Sequence, residues 1–132
     1  MNLPNPFCNE IVDAHVDIED WLSGRAGPER LAMLLARFSP EFSMITTSGA
    51  VLDCAGVDAL FSRGHGARPG LRIAIDELRE IADCADGAVI GYRETQTDAA
   101  GRRTVRRSTA VLRRDADGRI VWQHLHETPV TA

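Results

Sequence analysis

Lysine is absent from this sequence of 132 residues, and all 15 basic side chains are arginine. The absence of lysine excludes a lysine nucleophile and Schiff-base chemistry. Only 3 cysteines are present, and none of them forms a C-x-x-C pair. A disulfide framework or a structural zinc site is therefore not expected, and Cys8, Cys54 and Cys84 are predicted to be small apolar side chains in a reducing compartment.

Long apolar runs are also missing. No stretch approaches the roughly 18 consecutive apolar residues that a membrane span requires. Residues 1–6 lack the positive charge and the apolar run of a signal peptide. We therefore expect a cytoplasmic protein with no membrane partner. With 132 residues, of which 44% are hydrophobic and 26% charged, the range 1–132 is predicted to be a single domain with room for at most one ligand cavity.

The first half of the sequence predicts three helices. Each begins at a capping or first-turn residue and then carries apolar side chains at helical spacing. Two strands, 41–47 and 50–52, separate the second helix from the third. The predicted helices run from Pro6 to Leu22, from Pro28 to Phe38, and from the cap at Asp53 to Phe61.

The second half changes to a period of two from Leu71 onward, with a bulge expected near Asp76. Turn residues at 98–101 and 115–118 separate three further strands. These strands cover 88–96, 103–114 and 119–127. Helices followed by a long meander predict an α+β fold, in which three N-terminal helices pack on one face of a curved antiparallel sheet.

The two turns also predict the register of the last three strands. If each turn has four residues, Thr97 lies opposite Arg102 and Arg114 lies opposite Arg119. One face of the sheet is then apolar at one end and polar at the other, as a ligand pocket beneath helices requires. The predicted pocket residues are Tyr92, Arg107, Thr109, Trp122, His124 and His126, with His15 reaching down from the first helix.

The opposite face is predicted to carry small and polar side chains, with Glu127 placed to balance Arg93 and Arg106. A face of this composition suits the outer surface of the sheet or a contact between subunits. We therefore expect a homodimer.

An arginine beside a tyrosine and two histidines favours a small-molecule ligand that is anionic or bears a carbonyl group. Five hydrogen-bonding side chains are costly to bury without one another, water or a ligand. The alternative is that they are satisfied packing groups. Histidine can act as a general acid or base near neutral pH, but no oriented nucleophile is evident, so the sequence leaves catalysis open.

Neither a metal nor a cofactor is predicted. His124 and His126 form an H-x-H pair, but a third ligand would have to be His15 or Glu94. The paired arginines at 102–103, 106–107 and 113–114 invite a nucleic-acid interpretation. Because neighbours on a strand point to opposite faces, these pairs would form no continuous basic stripe, and no nucleic-acid partner is expected.

Three segments carry a family resemblance: 92–96, 107–115 and 122–128. They resemble the SnoaL-like proteins of the nuclear transport factor 2-like superfamily. They are also similar to the association domain of calcium/calmodulin-dependent protein kinase II, which ends in a W-Q segment followed by H-x-H. The resemblance implies a cone-shaped α+β barrel with three N-terminal helices over a strongly curved sheet, usually dimeric through the sheet, with a cavity between helices and sheet.

The resemblance does not select an activity, because the superfamily includes isomerases, dehydratases, polyketide cyclases and oligomerisation modules. It aligns the arginine of the kinase domain's anion pocket with Arg93, whereas strand parity places Arg107 inside. The sequence thus predicts a small-molecule-binding protein whose pocket could support isomerase, cyclase or dehydratase chemistry. The alternative is a non-catalytic association module with a vestigial cavity.

Overall fold

The structure, a computed structural model, describes residues 3–131. Its helices are α1 (Pro6–Ser23), α2 (Leu31–Leu35) and α3 (Cys54–Gly64), and a 3-10 turn (Pro28–Arg30) precedes α2. Six strands complete the fold, namely β1 (Phe38–Ile45), β2 (Val51–Asp53), β3 (Arg72–Cys84), β4 (Gly87–Thr97), β5 (Arg103–Arg114) and β6 (Ile120–Val130).

Helix α1 has well-defined ends. The Asn5 side chain accepts hydrogen bonds from the backbone N–H groups of Phe7 and Cys8, and Gly24 closes the helix in the left-handed conformation with φ 86°. Its buried face includes Ile11, Ala14, His15 and Trp21, and this face packs toward the sheet. The predicted limits of the helix hold to within a residue.

The second helix is shorter than predicted. It ends at Leu35, and Phe38 belongs to β1. The cause is pairing with the far end of the chain, because Phe38 lies beside Trp122 of β6 and the Trp122 N–H donates to the Arg37 carbonyl at 2.8 Å. Pairing with a distant strand thus places Phe38, the predicted last residue of the second helix, in the sheet.

The strand order is β2-β1-β6-β5-β4-β3. Strand β1 runs parallel to β6, whereas the other neighbours are antiparallel, so the curved sheet is mixed rather than wholly antiparallel. The predicted class, an α+β fold with three helices packed on a curved sheet, is confirmed. The expected bulge in β3 lies between Asp76 and Arg79, where Glu77 adopts a positive φ of 53°.

The predicted register was wrong by one residue. Thr97 pairs with Arg103, and Arg114 pairs with Ile120. Each connection has five residues, since the N–H of Asp98 donates to the carbonyl of Arg102 and each turn contains a left-handed glycine. A slip of one residue sends every side chain of a strand to the other face.

Strand β6 adds a second irregularity. Trp122 pairs with Leu112, but His124 pairs with Val111, so the register shifts at Gln123. Trp122 therefore faces the helices while His124 faces away from them. The side chains on the helix side of β4, β5 and β6 are Ala88, Ile90, Tyr92, Glu94, Gln96, Arg106, Ser108, Ala110, Leu112, Trp122, Leu125 and Glu127.

None of the helices within residues 3–131 is long and apolar enough to cross a membrane.

Candidate functional site

A cavity of about 150 Å³ lies between the helices and the sheet, and we call it the inner cavity. Most of its wall is apolar. That part of the wall is formed by Ile18, Leu22, Phe38, Met44, Val57, Leu60, Phe61, Trp122 and Leu125. The remaining wall is polar and consists of His15, Glu94, Gln96, Arg106 and Glu127. The cavity therefore suits a ligand with an apolar body and a polar head.

His15 and Glu94 form a buried pair at the polar end of the inner cavity. His15 projects from α1, and its Nε2 lies 3.2 Å from Oε1 of Glu94 on β4. Its Nδ1 lies 2.7 Å from the carbonyl oxygen of Ile11. Because both ring nitrogens face oxygen acceptors, the arrangement is satisfied when both carry a proton and His15 is an imidazolium.

The electrostatics favour the same state. Burial acts to lower the pKa of His15, but the hydrogen bond and the charge of Glu94 outweigh it, so this pKa is raised above its ordinary value. Burial acts to raise the pKa of Glu94, but His15 outweighs it and lowers that pKa to about 2. The two groups thus hold each other in their charged forms.

The second oxygen of Glu94 begins a chain of hydrogen bonds. Gln96 Nε2 donates to Glu94 Oε2 at 2.7 Å, and Gln96 Oε1 accepts from Arg68 Nη1 at 2.6 Å. Arg68 is exposed, whereas Gln96 is buried. The chain therefore connects the buried pair to the surface.

Arg106 and Glu127 form the other half of the polar end. Arg106 Nη1 donates to Glu127 Oε1 at 3.3 Å, while the buried Nε of Arg106 has no hydrogen-bond partner among residues 3–131. Burial, with the charge of Glu94, raises the pKa of Glu127 against the opposing effect of Arg106. This pair therefore retains a hydrogen-bond donor that no group in the described part of the chain uses.

Two further hydroxyl groups on this face are buried, Tyr92 Oη and Ser108 Oγ, and within residues 3–131 neither has a hydrogen-bonding partner other than the other one. The Tyr92 ring packs edge-on against His15, with centroids 5.4 Å apart. Burial raises the pKa of Tyr92 well above its ordinary value, so its hydroxyl group remains protonated. Both hydroxyls can donate a hydrogen bond to an oxygen acceptor.

Trp122 forms part of the apolar wall. Its Nε1 donates to Glu10 Oε2 at 2.9 Å, and Arg37 donates to both oxygens of Glu10. Because the indole N–H is already satisfied by α1, Trp122 offers the cavity its apolar ring.

Four predicted pocket residues lie on the other face of the sheet. Arg107, Thr109 and His126 line a groove of about 540 Å³, the outer groove, which also contains Glu77 and Arg79. His124 points to the same side, with its Nδ1 2.8 Å from Ser43 Oγ. The prediction that these four residues share a cavity with Trp122 and His15 was wrong, because of the register slip and the bulge.

Neither Arg93 nor Arg107 lines the inner cavity. Arg93 pairs with Asp76 and Glu77 on the outer face, and Arg107 pairs with Glu77. The arginine of the inner cavity is Arg106.

The four side chains that could have formed a metal site lie on opposite faces of the sheet. His124 and His126 are on the outer face, whereas His15 and Glu94 are on the inner one. Between residues 3 and 131, no group of three or more histidine, cysteine, aspartate or glutamate side chains is arranged to hold a metal ion.

Sequence reasoning missed Glu94, Gln96, Arg106 and Glu127 as cavity residues. A signal was present, because both turns contain an aspartate followed three residues later by glycine and then arginine. This pattern suits a turn with a left-handed glycine bulge, which adds the residue that reverses parity on β5.

No protein-family model matches the chain, and no curated protein matches it. Among solved structures, an NTF2-like (nuclear transport factor 2-like) protein of unknown function from Pseudomonas aeruginosa is 49% identical, with a TM-score of 0.90. The match covers 95% of this chain and 98% of that one. The chain belongs to the NTF2-like family.

Other members share the fold at low identity. The association domain of C. elegans CaMKII is 12% identical, with a TM-score of 0.69 over 93% of this chain and 95% of that one. A candidate dehydratase of the NTF2-like family from Streptomyces avermitilis is 15% identical, with a TM-score of 0.73 over 98% of this chain and 100% of that one. At these identities, the likeness establishes the fold alone.

Proposed function

We propose that this NTF2-like protein binds a small metabolite in its inner cavity. The metabolite has an apolar body and an anionic or carbonyl-bearing head. The observation that carries the proposal is the buried Nε of Arg106, which lies at the polar end of an otherwise apolar cavity and lacks a partner among the described residues. Leaving such a donor unsatisfied costs about 1–3 kcal/mol, and a ligand oxygen would remove that cost.

The size of the cavity supports a compact ligand. An engineered apolar cavity of about 150 Å³ binds benzene, and the inner cavity has a volume of about 150 Å³. Its apolar wall includes the rings of Phe38, Phe61 and Trp122. We infer a ligand body of one ring or a short branched chain.

The polar end also supports proton transfer, the step that isomerases, cyclases and dehydratases share. Two carboxyl groups whose pKa values are moved in opposite directions are suited to different roles. Glu94 remains a carboxylate beside His15, whereas Glu127, whose pKa is raised, can exchange a proton with a bound ligand. His15 acts as a positioning residue, because both of its ring nitrogens are occupied.

A thermal-shift screen of small carboxylates and ketones tests binding in the inner cavity. Arg106→Gln removes the orphaned donor, and Arg107→Gln is a matched control because the adjacent side chain points to the opposite face. We expect ligands that raise the melting temperature of the wild type and of Arg107→Gln, but raise that of Arg106→Gln much less. Equal shifts in all three proteins would contradict the proposal.

A second candidate function is association, which the outer face favours. Gly91 lets the Ile81 side chain lie close to the β4 backbone, since a Cβ atom there would be 3.1 Å from Ile81 Cδ1, and in the same groove Arg107, Thr109 and His126 are accessible. We propose a homodimer that packs through this face. Sedimentation velocity at micromolar concentration should give a dimer for the wild type and a monomer for Thr109→Arg. A monomeric wild type would overturn this proposal.

A further inference from the structure

Building on the proposed function, we propose that Arg68 is a specificity-determining residue that selects ligands with a carboxylate head over neutral carbonyl compounds. Arg68 belongs to the segment 65–70 between α3 and β3, which we call the strap. The strap brings the guanidinium of Arg68, which forms no ion pair within residues 3–131, next to Gln96 at the polar end of the inner cavity.

The strap is fixed to the end of α1. The N–H groups of Gly66 and Arg68 donate to the carbonyls of Trp21 and Leu22 at 3.0 and 2.8 Å. The last carbonyls of a helix have no partner within the helix, so the bond from Arg68 satisfies Leu22, while the Trp21 carbonyl, which also accepts from the Gly24 N–H, gains a second donor. His65 also stacks on Trp21, with ring centroids 4.0 Å apart. The backbone that carries Arg68 is therefore held in place before any ligand binds.

The guanidinium of Arg68 is nearly free. One hydrogen bond, to Gln96 Oε1 at 2.6 Å, is formed, and within residues 3–131 no acidic side chain forms an ion pair with Arg68. An arginine has five N–H donors in a planar fork that matches a carboxylate. Most of these donors remain available for a ligand.

Gln96 places this guanidinium beside the cavity. Gln96 lines the inner cavity, and its amide is oriented by two hydrogen bonds, one to Glu94 and one from Arg68. Because Arg68 is exposed while Gln96 is buried, Arg68 stands where the polar end meets solvent. A ligand head that contacts the Gln96 amide therefore lies next to the Arg68 guanidinium, which is bonded to that amide.

The balance of charge selects an anion. At this end of the cavity, Glu94 faces His15 and Glu127 faces Arg106, so each acidic group already has a basic partner. Arg68 adds a positive charge that no acidic side chain among the described residues neutralises. A carboxylate supplies the negative charge that neutralises Arg68, whereas a ketone or an amide does not.

Benzoate and benzamide form a suitable pair of probes, because they have nearly the same shape and differ in charge. Isothermal titration of each probe would be carried out with the wild type, Arg68→Gln, Arg68→Lys and the outer-face control Arg107→Gln. We expect the wild type and the control to bind benzoate at least about tenfold more tightly than benzamide. Arg68→Gln should lose this preference while binding benzamide unchanged, and Arg68→Lys should restore part of it.

The outcomes separate the two proposals. If Arg68→Gln keeps the preference for benzoate, or if it weakens both probes equally, Arg68 is not a specificity residue even though the cavity binds ligands. If the wild type binds neither probe at millimolar concentration, and no compound in the thermal-shift screen stabilises it, the proposed function itself fails. Unchanged melting temperatures of the unliganded variants would show that they remain folded.

Discussion

His15 Nε2 lies 3.2 Å from Glu94 Oε1, and the exposed fractions of the two side chains are only 6% and 3%. The contact joins the middle of α1 to the middle of β4, so the same helix that covers the sheet also sets the charge at the polar end of the inner cavity. A buried ion pair of this kind does not by itself make a fold more stable than an apolar pair would, but breaking it is costly. The loss of stability when the pair is broken can therefore be measured to test the site.

The first prediction concerns removal of one partner of this pair. Glu94→Gln leaves the imidazolium of His15 without a counter-charge, and we expect the free energy of unfolding to fall by about 3 kcal/mol. Glu77→Gln is the matched control, since Glu77 is exposed on the outer face, and its effect should be within about 0.5 kcal/mol. Urea denaturation at neutral pH measures both values, and equal losses would contradict the assigned pairing.

The second prediction is the pH dependence of that loss. The pKa of Glu94 is lowered from 4.5 to about 2 on folding, so its contribution is complete above about pH 4.5 and is lost as pH falls toward about 2. The pKa of His15 is raised from 6.5, so its contribution is complete below about pH 6.5 and is lost as pH rises through the folded value.

The difference in stability between the wild type and Glu94→Gln should therefore be largest between about pH 4.5 and pH 6.5. Denaturation curves recorded at several pH values give this profile. A difference that stays constant from low to high pH would show that the two groups do not hold each other in charged form.

The third prediction concerns the network that fixes Trp122. Arg37 donates to both oxygens of Glu10 and also pairs with Asp17, and Glu10 accepts the indole N–H of Trp122. We expect Arg37→Gln to lower the free energy of unfolding by about 2 kcal/mol, because two partly buried carboxylates lose their partner. Arg30→Gln is the control, since Arg30 Nη2 lies 4.0 Å from Asp17 Oδ1 and the Arg30 side chain is 50% exposed. Similar losses for both variants would contradict this account of the network.

The fourth prediction tests the strand register. A Cβ atom added at Gly87 would lie 2.5 Å from the backbone carbonyl oxygen of Leu112 on β5. Because neither backbone can move without disturbing the pairing of β4 with β5, Gly87→Ala should cost about 2 kcal/mol or more. A thermal denaturation midpoint equal to that of the wild type would contradict this close approach of β5 to Gly87.

Local patterns in the sequence were sufficient for most of the fold. The caps at Asn5 and Asp53 and the change of period at Leu71 predicted the elements, since these signals depend on residues that are close together in the chain. The end of α2 was missed because Phe38 is held by Trp122, which is distant in the sequence. A contact between residues so far apart in the chain produces no pattern in the local sequence.

The site was harder to predict because an error of one residue in the register moves every side chain of a strand to the other face of the sheet. One extra residue in the turn after Thr97 exchanged Arg107 for Arg106 in the inner cavity, and the bulge at Gln123 exchanged His126 for Glu127. Tyr92 lies on the inner face as predicted, because β4 precedes both irregularities. Side-chain chemistry alone could not reveal these exchanges, since a polar residue stands at each position on either face.

A crystal structure of the protein with benzoate tests the central claim most directly. We predict that the ring lies in the inner cavity against the apolar wall, with a carboxylate oxygen within hydrogen-bond distance of Arg106 Nε. Benzoate seated only in the outer groove beside Arg107 and His126, or an inner cavity that is collapsed with Arg106 Nε bonded to a protein group, would contradict the account.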